Sequence, residues 1–199
     1  MQYSVCASGG APACPVCVRV GYALTSLLAF RRLSQINLDD VATEAGLTPD
    51  ELSVHVTTRD DALLQAYIAG AERFLAIADQ AYAMADTWHQ GVHLVVENSL
   101  IEIRRRPGLD RVYYEEAPAS RDQRMWSARD DVRRRGVELM VSHHGPDELP
   151  QLRFEMLAGV LFNTARERVL SGGHLEEPAS LAAKICEIVP VFEPEPVAA

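Results

Sequence analysis

Residues 37–56, NLDDVATEAGLTPDELSVHV, contain the start and stop signals of two short helices joined by a tight turn. Asn37 is a residue type that caps helix N-termini, and the aspartates that follow Leu38 lie in the first turn, where the helix dipole favours acids. Gly46 is the residue type that most often ends a helix. Thr-Pro-Asp-Glu at residues 48–51 forms a capping box with proline at the first helical position, which predicts the start of a second helix.

These signals predict a helix-turn-helix with its helices at Leu38–Ala45 and Pro49–Val56. Val41 and Ala42 are expected to pack inside the first helix, and Leu52 to anchor the second helix to the core. In this motif the N-terminal part of the second helix enters the DNA major groove. Flanking helices are predicted at Val20–Leu33 and from Arg59 to about Ala85.

The rest of the chain has helical periodicity almost throughout, without the alternating β-branched runs that indicate strands. The expected fold class is all-α, with an N-terminal three-helix helix-turn-helix head and a C-terminal antiparallel helical bundle. The expected parts are a disordered tail at 1–18, the head at 19–68, the bundle at 69–192 and a second tail at 193–199. Further helices are predicted at about residues 88–106, 109–116, 120–144, 150–170 and 178–189.

The stretch from Leu38 to Thr48, followed by Leu52, His55, Thr58-Arg59 and Leu63-Leu64, resembles the TetR family of bacterial transcription regulators. The family's usual string is hydrophobic-x-x-Ile-Ala-x-x-Ala-Gly-Val-Ser, then Leu-Tyr-x-His-Phe, then Ser/Asn-Lys and Leu-Leu. This resemblance covers about residues 20–68, and residues 157–173 look like the family's last-but-one helix. It implies a homodimer that pairs through a four-helix bundle of the last two long helices, and a palindromic double-stranded DNA operator. It also implies that residues 69–192 bind a small ligand.

The resemblance assigns DNA contacts to the second helix of the motif and to the start of the next helix. Thr48 would cap the helix and touch a phosphate, and Ser53 stands where the family has a contacting tyrosine. His55 and Arg59 match a histidine and a lysine that contact phosphates, and such charge-assisted bonds fix the head on the duplex. The predicted DNA-contacting residues are Thr48, Asp50, Glu51, Ser53, His55, Thr58 and Arg59.

The second helix departs from the family because Pro49-Asp50-Glu51 replaces the usual Lys-Gly-Thr. Residues 18–68 contain four arginines and seven acidic residues, and no basic residue lies between Leu47 and Val54. An acid at the groove-facing end repels phosphate, although a carboxylate can accept a hydrogen bond from cytosine N4. We expect weak or salt-sensitive DNA binding. The alternative is a TetR-fold dimeric binding or scaffold protein whose degenerate head does not bind DNA.

Large aromatic residues of the C-terminal half are candidates for an effector pocket, because such pockets are mostly apolar with a few polar groups. Plain core packing is the alternative for most of them, and composition does not separate the two. The ligand is expected to be a small apolar or amphipathic molecule, and no cofactor is expected. The predicted ligand-binding residues are Trp88, Tyr113, Tyr114, Trp126, Phe162 and Asn163.

Three cysteines lie in the Gly/Pro/Ala-rich N-terminal tail, and Cys14-Pro15-Val16-Cys17 is a C-x-x-C pair. A zinc site needs further ligands at a defined spacing, and none is near the pair in sequence. A thioredoxin-like pair would follow a strand and open a helix, which is not the pattern here. We interpret these thiols as incidental, with redox or metal sensing as the alternative, and predict no metal site.

The net charge of −9 argues against a nucleic-acid coat or a general membrane binder, because both depend on many phosphate contacts. No apolar run approaches the roughly 18 residues of a membrane span, and no basic residue precedes Arg19 as in a secretory signal, so a cytoplasmic location is expected. The sequence has no G-x-S-x-G, Walker, dinucleotide or H-E-x-x-H motif, so no enzyme is expected. The predicted function is a transcription regulator, by family habit a repressor, which a small ligand releases from its operator.

Overall fold

A computed structural model describes residues 14–144, 151–172 and 176–192, and all regular structure in these ranges is helical. The chain divides into two compact units. The head unit contains residues 14–72 and Arg106–Ala128, and the body unit contains Arg73–Arg105 and the described residues from Arg129 onward. The helices are α1 (Pro15–Leu28), α2 (Leu38–Ala45), α3 (Pro49–Ser53), α4 (Arg59–Met84), α5 (Trp88–Arg105), α6 (Ala117–Ala119), α7 (Gln123–His144), α8 (Gln151–Leu170) and α9 (Pro178–Cys186). A 3-10 turn at Leu33–Gln35, a π-helical turn at Arg111–Glu116 and a 3-10 turn at Val189–Phe192 complete the set.

The first three helices follow the local signals of the sequence. The Asn37 side chain accepts from the Asp40 amide at 2.8 Å, and Asp40 Oδ2 accepts from the Asn37 amide at 2.9 Å, so α2 begins with a complete capping box. Gly46 ends α2 in the left-handed region at φ 63°, which lets the chain turn sharply into α3. Val41, Ala42 and Leu52 are buried, and α1 packs against α2.

The segment Arg106–Ala128 completes the head unit. Gly108 has φ 99°, and a Cβ there would lie 2.1 Å from the Thr25 carbonyl oxygen, so only glycine permits this close approach to α1. Arg111 Nη1 donates to the carbonyls of Leu28 at 3.0 Å and Arg31 at 3.1 Å, which satisfies acceptors at the end of α1. The segment Arg106–Ala128 therefore stabilises the end of α1 through hydrogen bonds from outside the first three helices.

The body unit packs α5 against α9 and α8 against α9. The inner face of α9 is apolar and buried, with Leu181, Ala182, Ile185 and Cys186. Gly91 lets α5 lie close to α4, because a Cβ at this position would be 2.4 Å from the Tyr82 ring. No helix in the described ranges is long and apolar enough to cross a bilayer.

The all-α class and the helix-turn-helix at the predicted place are confirmed, and three details of the prediction are wrong. Helix α1 runs from Pro15 to Leu28 and not from Val20 to Leu33, so the predicted disordered tail at 1–18 is helical from residue 15. Proline at the first helical position starts the helix earlier than its apolar periodicity indicates. Helix α3 ends at Ser53 and not at Val56. Residues 106–128 belong to the head unit and not to the C-terminal domain; residues 1–13 and 193–199 lie outside the described ranges.

Candidate nucleic-acid interface

The outer side of α3 is exposed, and its inner side is fixed to the core. Leu52 is buried, whereas Asp50, Ser53 and Val54 are exposed, and Val54 keeps 70% of its surface accessible. An apolar side chain on this side can contact a thymine methyl group, and small polar side chains can reach base edges. The described residues thus leave the face that would enter a groove uncovered.

Thr48 and Glu51 satisfy each other's polar groups at the start of α3. The Thr48 hydroxyl donates to Glu51 Oε2 at 3.0 Å and accepts from the Glu51 amide at 3.2 Å, while the Thr48 amide donates to the same carboxylate oxygen at 2.8 Å. The hydrogen bond from the Thr48 amide, with a second from its hydroxyl, lowers the pKa of Glu51. The Glu51 carboxylate is therefore bonded to the start of its own helix, and both Glu51 and Asp50 stay exposed.

Two more of the predicted contact residues use their hydroxyls locally. Ser53 Oγ donates to the Asp50 carbonyl at 2.8 Å, within α3 itself. Thr58 Oγ1 accepts from the Asp61 amide at 3.0 Å and so caps α4. A phosphate accepts hydrogen bonds only, so a contact from Ser53 requires its hydroxyl to rotate away from α3.

Arg59, in the first turn of α4, is exposed and donates from Nη1 to the carbonyls of Leu33 at 3.4 Å and Ser34 at 3.0 Å. Since a guanidinium carries five N–H groups, these two bonds hold the side chain in place and leave three donors for another acceptor. A positioned guanidinium is well suited to a phosphate, which it can bind with two parallel hydrogen bonds.

Acids of the head lie close to its arginines. Arg31 Nη1 lies 3.2 Å from Asp40 Oδ2. The hydrogen bond from the Asn37 backbone, assisted by Arg31, lowers the pKa of Asp40. The pKa of Glu51, which the hydrogen bonds from Thr48 lower, is lowered further by the positive charge of Arg19 on α1. These pairings offset part of the basic charge that a DNA backbone would need.

His55 lies two residues beyond α3 and faces the start of α1. Its Nδ1 is 3.6 Å from Cys14 Sγ and 3.6 Å from Cys17 Sγ, and the three atoms lie within 4.8 Å of one another. No further ligand lies near the C-x-x-C pair in sequence, but the fold brings His55 to it from 38 residues away. The pair also opens α1, contrary to the sequence interpretation. The spacing in sequence gives no signal for this contact, because folding of α1 against the end of α3 creates it.

The chain matches no protein-family model, and no curated protein matches it significantly. Its structure is similar to the fatty acid degradation regulator FadR from Bacillus halodurans, with TM-score 0.72 and 14% identity over 90% of this chain and 96% of that one. It is also similar to FadR from Bacillus subtilis, solved in complex with stearoyl-CoA, with TM-score 0.71 and 13% identity over 88% of this chain and 98% of that one. A third similar structure is a TetR transcriptional regulator from Rhodococcus sp. RHA1, with TM-score 0.68 and 16% identity over 90% of this chain and 96% of that one.

The chain has the TetR fold. The three similarities cover nearly the full length of both partners, so they include the head and the body and not the helix-turn-helix alone. At these identities the comparison establishes the fold.

Three of the predicted ligand-binding residues lie in the head unit of the TetR fold. Tyr113 and Tyr114 are buried in the π-helical turn, and the Tyr113 hydroxyl donates to the Tyr67 carbonyl at 2.7 Å. The rings of Tyr113 and Tyr67 lie 5.0 Å apart. Trp126 is 58% exposed, and its Nε1 donates to the Ser120 carbonyl at 3.1 Å. The two tyrosines are packed core residues here, and Trp126 is a surface residue.

The other three predicted ligand-binding residues lie in the body unit. The Trp88 ring contacts Phe154 edge-on at 6.0 Å between centroids. Phe162 and Asn163 are exposed on α8. Residue type alone therefore did not separate core, surface and pocket roles. Assignment of the set to one ligand site stays a prediction.

Proposed function

We propose that this protein is a homodimeric, TetR-like transcriptional repressor that leaves its operator when a small ligand binds. The observation that supports the DNA-binding part is the capped, outward-facing α3 that follows the left-handed turn at Gly46. A dimer would place two such helices in successive major grooves of a palindromic site. The cytoplasmic location and the lack of enzymatic activity stay predictions.

DNA recognition in this proposal combines one positioned cation with an acidic recognition helix. Arg59 would hold the head on the phosphate backbone through the donors not used by Leu33 and Ser34. Asp50, at the start of α3, repels phosphates and favours a site where a cytosine amino group can donate to it. Affinity would be modest and sensitive to salt, and sequence preference would come from few contacts.

Dimerisation would use the exposed apolar side of α8. Leu152, Met156, Phe162 and Leu170 are large apolar residues exposed on this helix, and Met156 keeps 53% of its surface accessible. Exposed apolar residues spread along one long helix are unusual for a monomer and indicate a surface that another chain covers. Phe162 and Asn163 fit this role better than a role as pocket residues.

The ligand would be an apolar or amphipathic small molecule bound by the body unit. One protein of the same fold was solved with stearoyl-CoA, so long-chain acyl-CoA is a reasonable first probe. If the ligand favours a separation of the two heads that does not match successive grooves, DNA and ligand weaken each other's binding by the same factor. An acyl-CoA titration of a protein–DNA complex, with free CoA as the control, measures this coupling.

The test of DNA binding is fluorescence anisotropy with duplexes that flank the protein's own gene, titrated with salt. Arg59→Ala should weaken binding to all duplexes roughly 5- to 10-fold and reduce the salt slope by about one for each subunit. Arg59→Lys, which keeps the charge, should retain most of the affinity. Arg105→Ala, at the end of α5, removes the same charge from an exposed position outside the head unit and should change little.

Two results would contradict the proposal. If no flanking duplex binds even at low salt, the alternative of a TetR-fold binding protein with a degenerate head is supported. If the wild-type chain binds but Arg59→Ala leaves both affinity and salt slope unchanged, Arg59 is not a phosphate contact. Circular dichroism of each variant shows that a loss of binding is not a loss of helix.

A further inference from the structure

The first turn of α1 presents two thiols on the side that meets the end of α3. Cys14 occupies the position before Pro15, and Cys17 lies in the first turn of the helix, so the C-x-x-C spacing places both sulfur atoms near one point. His55 is 38 residues further along the chain, and its Nδ1 is 3.6 Å from each Sγ. The cluster cannot be identified from the C-x-x-C pair or from the sequence around His55 taken separately.

These distances suit a tetrahedral metal ion. Zinc–sulfur bonds of about 2.3 Å and zinc–nitrogen bonds of about 2.0 to 2.1 Å at tetrahedral angles place sulfur and nitrogen about 3.6 Å apart. Both sulfur–nitrogen distances in the structure are 3.6 Å, and all three donor atoms lie within 4.8 Å of one another. The ligand atoms therefore need little movement to surround an ion.

The surrounding structure holds the three side chains in position. Cys17 is 3% exposed and is packed into the head, whereas Cys14 and His55 are half-buried, so an ion can reach the cluster from solvent. Leu52 and Val56, on either side of His55, are buried, and the His55 amide donates to the Leu52 carbonyl at 2.9 Å. A pre-positioned ligand set loses little side-chain entropy when it binds an ion.

We propose that Cys14, Cys17 and His55 form a zinc site, with a fourth position for water or an external ligand. Binding of Zn²⁺ converts two thiols to thiolates and releases their two protons, while His55 coordinates through Nδ1 in its neutral form and keeps a proton on Nε2. The ion would link the first turn of α1 to His55, two residues beyond the end of α3. On the basis of the proposed function, zinc would hold the recognition helix in place and strengthen DNA binding.

The metal site is tested first, without DNA. The reduced chain should bind one Zn²⁺ per subunit in competition with a chromophoric chelator, and the affinity should rise with pH because protons are released. Co²⁺ in place of Zn²⁺ should give thiolate-to-metal charge-transfer absorption and the visible bands of a tetrahedral ion. Cys14→Ser and His55→Gln should each lower the Zn²⁺ affinity by more than about 100-fold.

Cys186→Ala is the matched control, since it removes a thiol in the body unit. Burial raises the pKa of Cys186 to about 11, so this thiol is a poor ligand at neutral pH. The variant should bind zinc like the wild type. Equal zinc affinities for wild type, Cys14→Ser and His55→Gln would overturn the site. The site would also be overturned if Cys14 and Cys17 formed a disulfide, the chain bound zinc only weakly, and His55→Gln did not change the zinc affinity.

The effect on DNA is a separate measurement. Zinc-loaded and chelator-treated protein are compared in the anisotropy assay, and we expect at least a 5-fold higher DNA affinity with zinc, lost in Cys14→Ser. Zinc binding without any change in DNA affinity would overturn the regulatory role and leave the site intact. If the chain binds no DNA under either condition, the proposed function fails while the zinc titration still decides the site.

Discussion

At the scale of single residues, Asp61 shows how one buried acid organises the start of a helix. Its Oδ2 accepts from the amides of Thr57 at 3.0 Å and Thr58 at 2.9 Å, and its Oδ1 lies 2.7 Å from Arg124 Nη1. Burial alone would raise the pKa of Asp61, but the hydrogen bonds from the Thr57 amide, Arg124 and the threonine hydroxyls together lower it to about 2. The charged form is thus the one that stabilises the head unit.

This arrangement predicts a defined pH dependence. Because the pKa of Asp61 falls from 3.8 to about 2 on folding, its stabilisation is complete above pH 4 to 5 and is lost as the pH falls from about 4 to 2. Asp61→Asn should lower the free energy of unfolding by about 2 kcal/mol at pH 7 and remove that dependence. Urea unfolding at several pH values measures both, with the exposed neighbour Asp60→Asn as the control. Equal losses for the two variants would contradict the assignment.

The sequence was most informative where a residue acts on its immediate neighbours. Asn37, Gly46 and Thr48 were assigned as caps from residue type and spacing alone, and each occupies that position. The contact of His55 with Cys14 could not be found in this way, since it joins two segments through tertiary packing. Local hydrogen bonds can be predicted from order along the chain, and non-local clusters cannot.

At the scale of elements, the turn between α2 and α3 depends on a left-handed residue. A Cβ at Gly46 would meet no atom within 4 Å, so a substitution there costs only backbone strain. Gly46→Ala should therefore lower the free energy of unfolding by about 1 to 2 kcal/mol, with less loss for Gly46→Asn. Thermal or urea unfolding measures the change.

The matched control for this prediction is Gly136→Ala, inside α7. A Cβ there also meets no atom within 4 Å, but the backbone is helical, so alanine should stabilise the chain by about 0.5 to 1 kcal/mol. The same substitution is thus expected to have opposite signs at two glycines. A stabilising Gly46→Ala would show that the turn does not require the left-handed conformation.

The extents of elements were predictable to different degrees. Helix α2 was predicted residue for residue, because both of its ends carry strong signals. The π-helical turn at Arg111–Glu116 was assigned only as part of a short helix, since apolar periodicity does not distinguish a single π-helical turn from an α-helical one. Helix α3 is shorter than predicted because the chain leaves the helix at Val54 to bury Val56.

At the scale of the whole molecule, the exposed apolar side of α8 predicts the oligomeric state. Met156→Glu places a charge on that side and should convert a dimer to a monomer in size-exclusion chromatography with light scattering. Met84→Glu is the matched control, because Met84 is also a largely exposed methionine, at the end of α4. A Met156→Glu chain that stays dimeric would place the interface elsewhere.

The division of the chain into units could not be predicted from sequence order. Residues 106–128 follow a long helix of the body and carry no motif that links them to the first 72 residues. Their place in the head is set by Gly108, Arg111 and Arg124, each of which bonds or packs across a long sequence separation. Periodicity predicts helices, but it does not identify the partners against which they pack.

The contacts of Gly108 and Arg111 with α1 also limit how operator specificity could be re-engineered. A chimera that grafted only the first 72 residues onto another regulator would lose the Arg111 guanidinium, which donates to two carbonyls at and after the end of α1, and the glycine that lies against Thr25. In the chimera, α1 would pack against the corresponding segment of the other regulator, although its surface is complementary to residues 106–128 of this chain. A workable graft would need two crossovers, one carrying the helix-turn-helix and the other residues 106–128.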